Sequence, residues 1–304
     1  MRERAQISFL PDGRRLHLHD GPIDLIIEAF GSLHQVNLAY QAAAARFVTV
    51  LDELCGELTF LRQPTRVGGP RPSGVIAKRM VAAVVPYCVR TFITPMAAVA
   101  GAVAEEILAG MTSVADLSRA YVNNGGDIAL HLSPGERFIV GMVECPDRPS
   151  LFGKVELHSS QPVRGIATSG WRGRSFSLGI ADAVTVLADR AAMADAAATI
   201  IANAVDLPNH PNIIRVPARD LAPDSDLGEL PVTTAIGKLT AFEVSTALRN
   251  GASSAESLVS SGLVAAAALS LRGETCIRIA ETGKARDSDV NLRRPNEESS
   301  LAVQ

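Results

Sequence analysis

A run of alanines behind a β-branched segment limits what this chain can fold into. Ser175 to Val205 holds the strand-like Val184-Thr-Val-Leu187, then Asp189-Arg190, then Ala191-Ala-Met-Ala-Asp-Ala-Ala-Ala-Thr-Ile-Ile-Ala-Asn-Ala-Val205. The order predicts strand, short turn, helix. Aromatic residues make up only 4% of the 304 residues while 47% are hydrophobic, so close packing of small side chains must fill the interior. On the alanine helix Asp195 and Thr199 stand four apart and share a face. A carboxylate and a hydroxyl one turn apart near a helix start suit a hard cation or a phosphate. They also suit plain helix chemistry, an Asp favoured by the dipole and a Thr bonding back to a carbonyl. Spacing alone leaves both readings open.

Charge and composition exclude several partner classes. The net charge of −3 and pI of about 6.1 give no broad basic footprint for nucleic acid, and the few aromatics give no stacking platform. A small-molecule partner is the expectation. Cys55, Cys88, Cys145 and Cys276 form no Cys-x-x-Cys pair, so they read as reduced core thiols rather than as a zinc module or disulfide scaffold. No apolar run follows the charged N-terminus, and Lys78, Arg79, Pro86, Arg90 and Pro95 interrupt the apolar region from Val75 to Leu108. The expectation is a cytoplasmic protein without a membrane span.

Taken in order, Ala5 to Leu18 reads as a hairpin around Pro11-Asp12-Gly13. His17 and His19 share a face of its second strand, a spacing that can ligate a metal but that reads here as surface histidines, with no acidic partner nearby in sequence. Apolar spacing from Ile23 to Leu58 predicts one or two long helices. Arg62 to Gly74 is a loop with three arginines, either a solvated connector or a basic flap over a phosphate. Thr94 and Pro95 start a helix expected to end before Gly110, and Gly101 within it marks a close backbone approach to a strand or a ligand.

Ala120 to Val143 predicts strand, glycine turn, strand, tight turn, strand, with Gly125-Gly126-Asp127 making a bulge or leaving bare backbone open to a ligand. Strands at Lys154 to His158 and Val163 to Ala167 follow, and the second runs into Thr168-Ser169-Gly170, which offers hydroxyls and amides to a phosphate or ribityl group. Asp206 to Asp226 reads as a loop, the segment after Asn250 as mostly helical, and Cys276 to Ile279 as a last strand. Residues 284–304 are polar and charged and read as a disordered tail. No tandem repeat and no clean linker splits residues 1–283 into separate domains.

Four separated pieces then fall in one order: Ala98-Val-Ala-Gly-Ala-Val-Ala-Glu105, Asn123-Asn-Gly-Gly-Asp-Ile128, Gly165-Ile-Ala-Thr-Ser-Gly170 and Ala194-Asp-Ala-Ala-Ala-Thr199. This order resembles the ApbE superfamily, the FAD:protein FMN transferases, and its branch with the Asn-Asn-Gly-Gly-Asp signature. The resemblance covers roughly Pro95 to Val205. It implies a single T-fold-like α+β unit, a bent antiparallel sheet packed with helices, with FAD or FMN in a cleft and Mg²⁺ at the pyrophosphate. It implies Asp195 and Thr199 as metal ligands, and Gly101, Asn124, Gly125, Gly126, Asp127, Thr168, Ser169, Gly170 and Ser177 as contacts of the flavin nucleotide.

Two departures keep the activity open. Ala100-Gly101 stands where the family usually has Lys-Gly, and Ser175 to Asp182 lacks the family's His-x-x-Asp-Pro. No catalytic residue is therefore assigned. The alternatives are Mg²⁺-dependent FMN transfer to a Ser or Thr of a protein acceptor or hydrolysis of the FAD pyrophosphate, and a non-catalytic flavin- or nucleotide-binding accessory protein in a redox or sulfur-assimilation pathway. A homo-oligomer is compatible with the small-residue helices.

Overall fold

The computed structural model describes residues 4–143, 151–280 and 291–293. The chain opens with the expected hairpin of β1 (Gln6–Phe9) and β2 (Leu16–Asp20), turned at Asp12, whose carboxylate accepts the amides of Arg14 and Arg15. Ile23–Phe30 is a strand, β3, where helical spacing predicts the start of a helix. Ile23, Leu25, Ile27 and Ala29 alternate inward, and the additional Ile26 masks that period of two. Helix α1 (Leu33–Gly56) begins only after Ser32, whose hydroxyl accepts the Gln35 amide.

Short α2 (Leu58–Leu61) and α3 (Val75–Val84) follow, with the Arg62 to Gly74 loop between them. A 3₁₀ turn at Pro95–Ala98, capped by Thr94 through the Met96 amide, runs into α4 (Val99–Thr112). Gly110 lies inside α4 rather than past its end. A single helical glycine costs only about 1 kcal/mol relative to alanine, and buried Ile107, Leu108 and Met111 hold the last turn in place.

Next come β4 (Arg119–Asn124), β5 (Asp127–Leu132), β6 (Arg137–Val143), β7 (Leu151–His158), β8 (Gly165–Ser169), β9 (Ala183–Ala188) and α5 (Ala191–Ala204). The stretch expected to be loop contains β10 (Ile213–Pro217) and one turn of helix, α6 (Ala218–Leu221). β11 (Pro231–Ile236), α7 (Ala241–Ser260), β12 (Ala266–Leu271), β13 (Glu274–Ile279) and β14 (Asn291–Arg293) complete the order. β12 corrects the helical reading of its segment. All six of its residues are buried, and a strand covered on both faces shows no alternation to read. Of the tail expected to be disordered, only Asn291–Arg293 is described, as a strand paired with β7.

Nine strands form one sheet in the order β1-β2-β3-β4-β5-β8-β9-β12-β13, with every neighbouring pair antiparallel. The α+β class and the antiparallel sheet packed with helices are as the family resemblance implies. One face carries the helices and the main core, in which Phe47, Met80, Ile107 and Ile201 meet the inward side chains of the sheet. Over the middle of the opposite face β6 and β7 bury a second core, with Val155 and Leu157 against Leu130, Ile166 and Leu187.

Cys55 is exposed, and Cys88 and Cys276 are half-buried, so the described thiols are free but not core residues; Cys145 lies outside the described residues. Among the described residues no helix is long and apolar enough to cross a membrane.

Candidate functional site at the meeting of two helices and a glycine turn

The Gly125-Gly126 pair is neither a bulge nor an interruption. Asn124 and Asp127 face each other across β4 and β5, so the two glycines are the whole loop. Their φ angles of 65° and 113° lie in the region that favours glycine, and the Asn123 side-chain oxygen accepts the Gly126 amide at 2.8 Å. The turn places Asp127 at the first position of β5, beside β8. There its Oδ1 accepts the Thr168 amide at 3.2 Å.

The second half of the site comes from α4 and α5. A Cβ on Gly101 would stand 2.3 Å from the Ala191 carbonyl oxygen, so the close approach predicted for this glycine is to the start of another helix. With the helices this close, each caps the other. Asp195 Oδ2 on α5 accepts the Gly101 amide of α4 at 3.0 Å, and Glu105 Oε1 on α4 accepts the Ala192 amide of α5 at 2.8 Å. The residue at the N-cap of α5, Arg190, has no side-chain oxygen to do so. Asp195 thus serves the positive end of a neighbouring helix, which neither reading of its spacing anticipates. Asn124 ties the same region to the glycine turn, its Nδ2 donating to the Ala100 carbonyl at 3.2 Å.

Asp127 and Asp195, from two separate motifs, are brought together here. Burial pushes the Asp127 carboxyl up to about 7. Asp195 is pushed well above the usual carboxylate range, first by burial and then by the charge of Asp127, while the Gly101 and Ala100 amides pull the other way. Neither carboxylate forms an ion pair among the described residues. Thr199 lies half-buried one turn beyond Asp195. Among the described residues no three His, Cys, Asp or Glu side chains form a metal-holding group. The donors here are instead two carboxylates and a hydroxyl, a set that fits a hard cation which completes its shell with water or phosphate.

The remaining candidates divide. Thr168 is exposed beside Asp127, and its hydroxyl shares a hydrogen bond of 2.9 Å with Thr185. Ser169 ends β8, and Gly170 is pressed against the Asp182 backbone, 2.4 Å from a Cβ that would stand there. Ser177 is elsewhere: its hydroxyl donates to Asn203 Oδ1 at 3.2 Å near the far end of α5, roughly 12 Å along the helix from Asp195. It is 3% exposed and bound into the scaffold, so it does not share the site of the acid pair.

His17 does have a carboxylate partner, contrary to the sequence reading. Asp24, across the hairpin of β2 and β3, accepts its Nε2 at 2.5 Å and lies 3.9 Å from His19 Nδ1. Arg62 of the basic loop pairs with Asp224. An open cavity of about 290 Å³ lies further along α4, lined in part by Arg79, Glu105, His131, Arg164 and Arg190, but not by Asp127 or Asp195. Sequence reasoning found both aspartates without pairing them. The signal available was weak: each sits in a small-residue motif, and only the fold makes them neighbours.

A family profile described as AbpE bacteria matches residues 7–277. The chain belongs to this family. That bears out, at the level of the family, the resemblance carried by the four motifs. Among curated proteins the chain is similar to the UPF0280 protein of Methanopyrus kandleri, 41% identical over 129 residues, 42% of this chain and 48% of that protein. It is also similar to the UPF0280 protein of Methanothrix thermoacetophila, 40% identical over 112 residues, 36% of this chain and 46% of that protein. The chain spans about half the length of the curated relatives it matches. Among solved structures, the flavin transferase ApbE from Vibrio cholerae aligns over 91% of this chain and 98% of its own, with 12% identity and a TM-score of 0.39. A likeness this distant transfers neither geometry nor activity.

Proposed function

We propose that this family member binds a flavin nucleotide, FAD, at the glycine turn, with Mg²⁺ held by Asp195 and Thr199 and faced by Asp127. The carrying observation is the acid pair: two half-buried carboxylates close enough to repel each other, without an ion-pair partner among the described residues and hydrogen-bonded to backbone amides. Such a pair is unfavourable until a proton or a cation occupies it. Residues of the same motifs adjoin it: Gly101, Asn124, Gly125, Gly126 and Thr168. When bound by Asp195 and Thr199, Mg²⁺ would supply positive charge that offsets the two carboxylates and a phosphate ligand. Calorimetric titration with FAD tests the reading. Binding is expected with Mg²⁺ present, lost with a chelator and lost in Asp195→Ala; a wild-type protein that binds no FAD in Mg²⁺ would sink it.

A second reading, cleavage of the FAD pyrophosphate with release of AMP, is favoured by one observation. Asp127 lies beside the proposed metal ligands with its Oδ1 on the Thr168 amide, which leaves its second oxygen to take a proton from an attacking water or protein hydroxyl. If a protein hydroxyl attacks, the product is an acceptor protein carrying FMN; if water attacks, free FMN. Chromatography of FAD incubated with the protein and Mg²⁺ separates the cases: AMP appears if cleavage occurs, and intact FAD remains bound if the protein is an accessory binder in a redox pathway.

A further inference from the structure

We propose that Arg174 and the Gly125-Gly126 turn form a phosphate subsite, in which the guanidinium pairs with the diphosphate of the bound nucleotide. This rests on the flavin-nucleotide reading above and adds the group that recognises the phosphates. Arg174 lies directly over the turn, since a Cβ on Gly125 would stand 2.9 Å from its Nη1. Beside it, a Cβ on Gly126 would meet nothing within 4 Å, so open space borders the turn at the point where the guanidinium arrives.

Arg174 also keeps donors to give. Its Nη2 donates to the Pro22 carbonyl at 3.4 Å, at the long limit of a hydrogen bond, and it forms no ion pair among the described residues. The neighbouring arginine differs: Arg172 Nε lies 3.3 Å from Asp182 Oδ1, and its guanidinium stacks over the Trp171 ring at 4.9 Å. The segment that delivers Arg174 is built rather than loose. Trp171 donates its amide to the Ala181 carbonyl and its Nε1 to Asp182, and the Gly173 amide closes a turn onto the Gly170 carbonyl at 3.1 Å.

Charge supports the placement. Asp127 and Asp195 bring two negative charges, which one divalent cation offsets. A diphosphate then adds negative charge that needs a further cation, and a guanidinium with free, coplanar donors is suited to phosphate oxygens.

The test titrates wild type, Arg174→Ala, Arg174→Gln and Arg174→Lys with FAD, inorganic pyrophosphate and riboflavin, all in Mg²⁺, with melting temperature as the check on folding. Removing one charge-assisted contact is expected to weaken FAD and pyrophosphate binding about tenfold or more in the Ala and Gln variants. Lys is expected to recover part of the loss, and riboflavin, which has no phosphate, to bind all four alike. FAD and pyrophosphate bound equally by wild type and the Ala and Gln variants would overturn the subsite while leaving the flavin reading intact. An equal loss of riboflavin affinity would overturn it as well, by showing a packing role. A wild type that binds pyrophosphate through Arg174 but not FAD would overturn the flavin reading and keep the subsite; binding of neither would overturn both.

Discussion

Helix α5 is held by the same device at both ends, yet the two ends do different things. At its start Gly165 and Gly101 bring backbone against Arg190 and Ala191; near its end Gly179 brings backbone against Ala202, where an added Cβ would stand 2.1 Å from a carbonyl oxygen. Near the end the polar groups are neutral and mutually satisfied. Asn203 Oδ1 accepts the Leu178 amide at 2.9 Å and the Ser177 hydroxyl at 3.2 Å, and the Val205 carbonyl accepts the Ile180 amide at 2.8 Å. At the start two half-buried carboxylates lie close enough to repel each other, with backbone amides as their hydrogen-bond partners. Close packing therefore does not mark a site. What distinguishes the proposed site is a pair of carboxyls that have no ion-pair partner among the described residues.

The largest effect that can break this comparison is steric. Gly179→Ala and Gly165→Ala each force a Cβ into backbone that has no flexible side chain to move aside, and each is expected to destabilise the fold by about 3 kcal/mol or more. Urea unfolding checks it, and comparable losses at both ends would confirm the shared device. A mild loss at either position would show that the approach there is looser than described.

Next in size is the separation of binding from scaffold. Asp195→Asn is expected to weaken Mg²⁺-dependent FAD binding more than about tenfold while the protein stays folded. Asn203→Ala is expected to leave FAD affinity unchanged while removing about 1–2 kcal/mol of stability. Calorimetry and urea unfolding on both variants measure this, and reversed outcomes would place the site at the wrong end of the helix.

The pH dependence is smaller and has a definite sign. Because Asp127 titrates higher in the folded protein than in an unfolded chain, its protonated form favours folding. Its contribution to the metal-free protein is complete below the ordinary aspartate range and is lost as pH rises through about 7. Asp195 acts in the same direction. Melting temperatures of the metal-free protein should therefore fall over that interval, less steeply in Asp127→Asn; parallel curves would remove the acid pair from the comparison. The smallest effect expected is that of Ser177→Ala, a loss of about 1 kcal/mol with flavin affinity unchanged.

Much of the local structure is legible in the sequence because local chemistry decides it. The Asp12 turn, the Thr94 cap, the glycine pair between Asn124 and Asp127 and the alanine helix each announce themselves through residues a few positions apart. The misreadings at Ile23–Phe30 and Ala266–Leu271 have one cause. Both are largely apolar strands that pair on one side with an adjacent hairpin strand and on the other with a strand far along the chain, and their local spacing does not separate strand from buried helix. The site follows the same rule. Asp195 and Thr199 are visible as a pair along one helix, whereas the meeting of Asp195 with Asp127, and of Arg174 with Gly125, exists only once β4, β5 and β8 are laid side by side with α4 and α5.

The reciprocal caps of α4 and α5 make neither helix start self-sufficient. The carboxylate proposed to hold the metal is also the acceptor for the Gly101 amide, so whatever takes electron density from Asp195 loosens the first turn of α4 by the same act. The Gly101 amide proton is thus a reporter built into the backbone, and its exchange rate with solvent would record the occupancy of the site without any label.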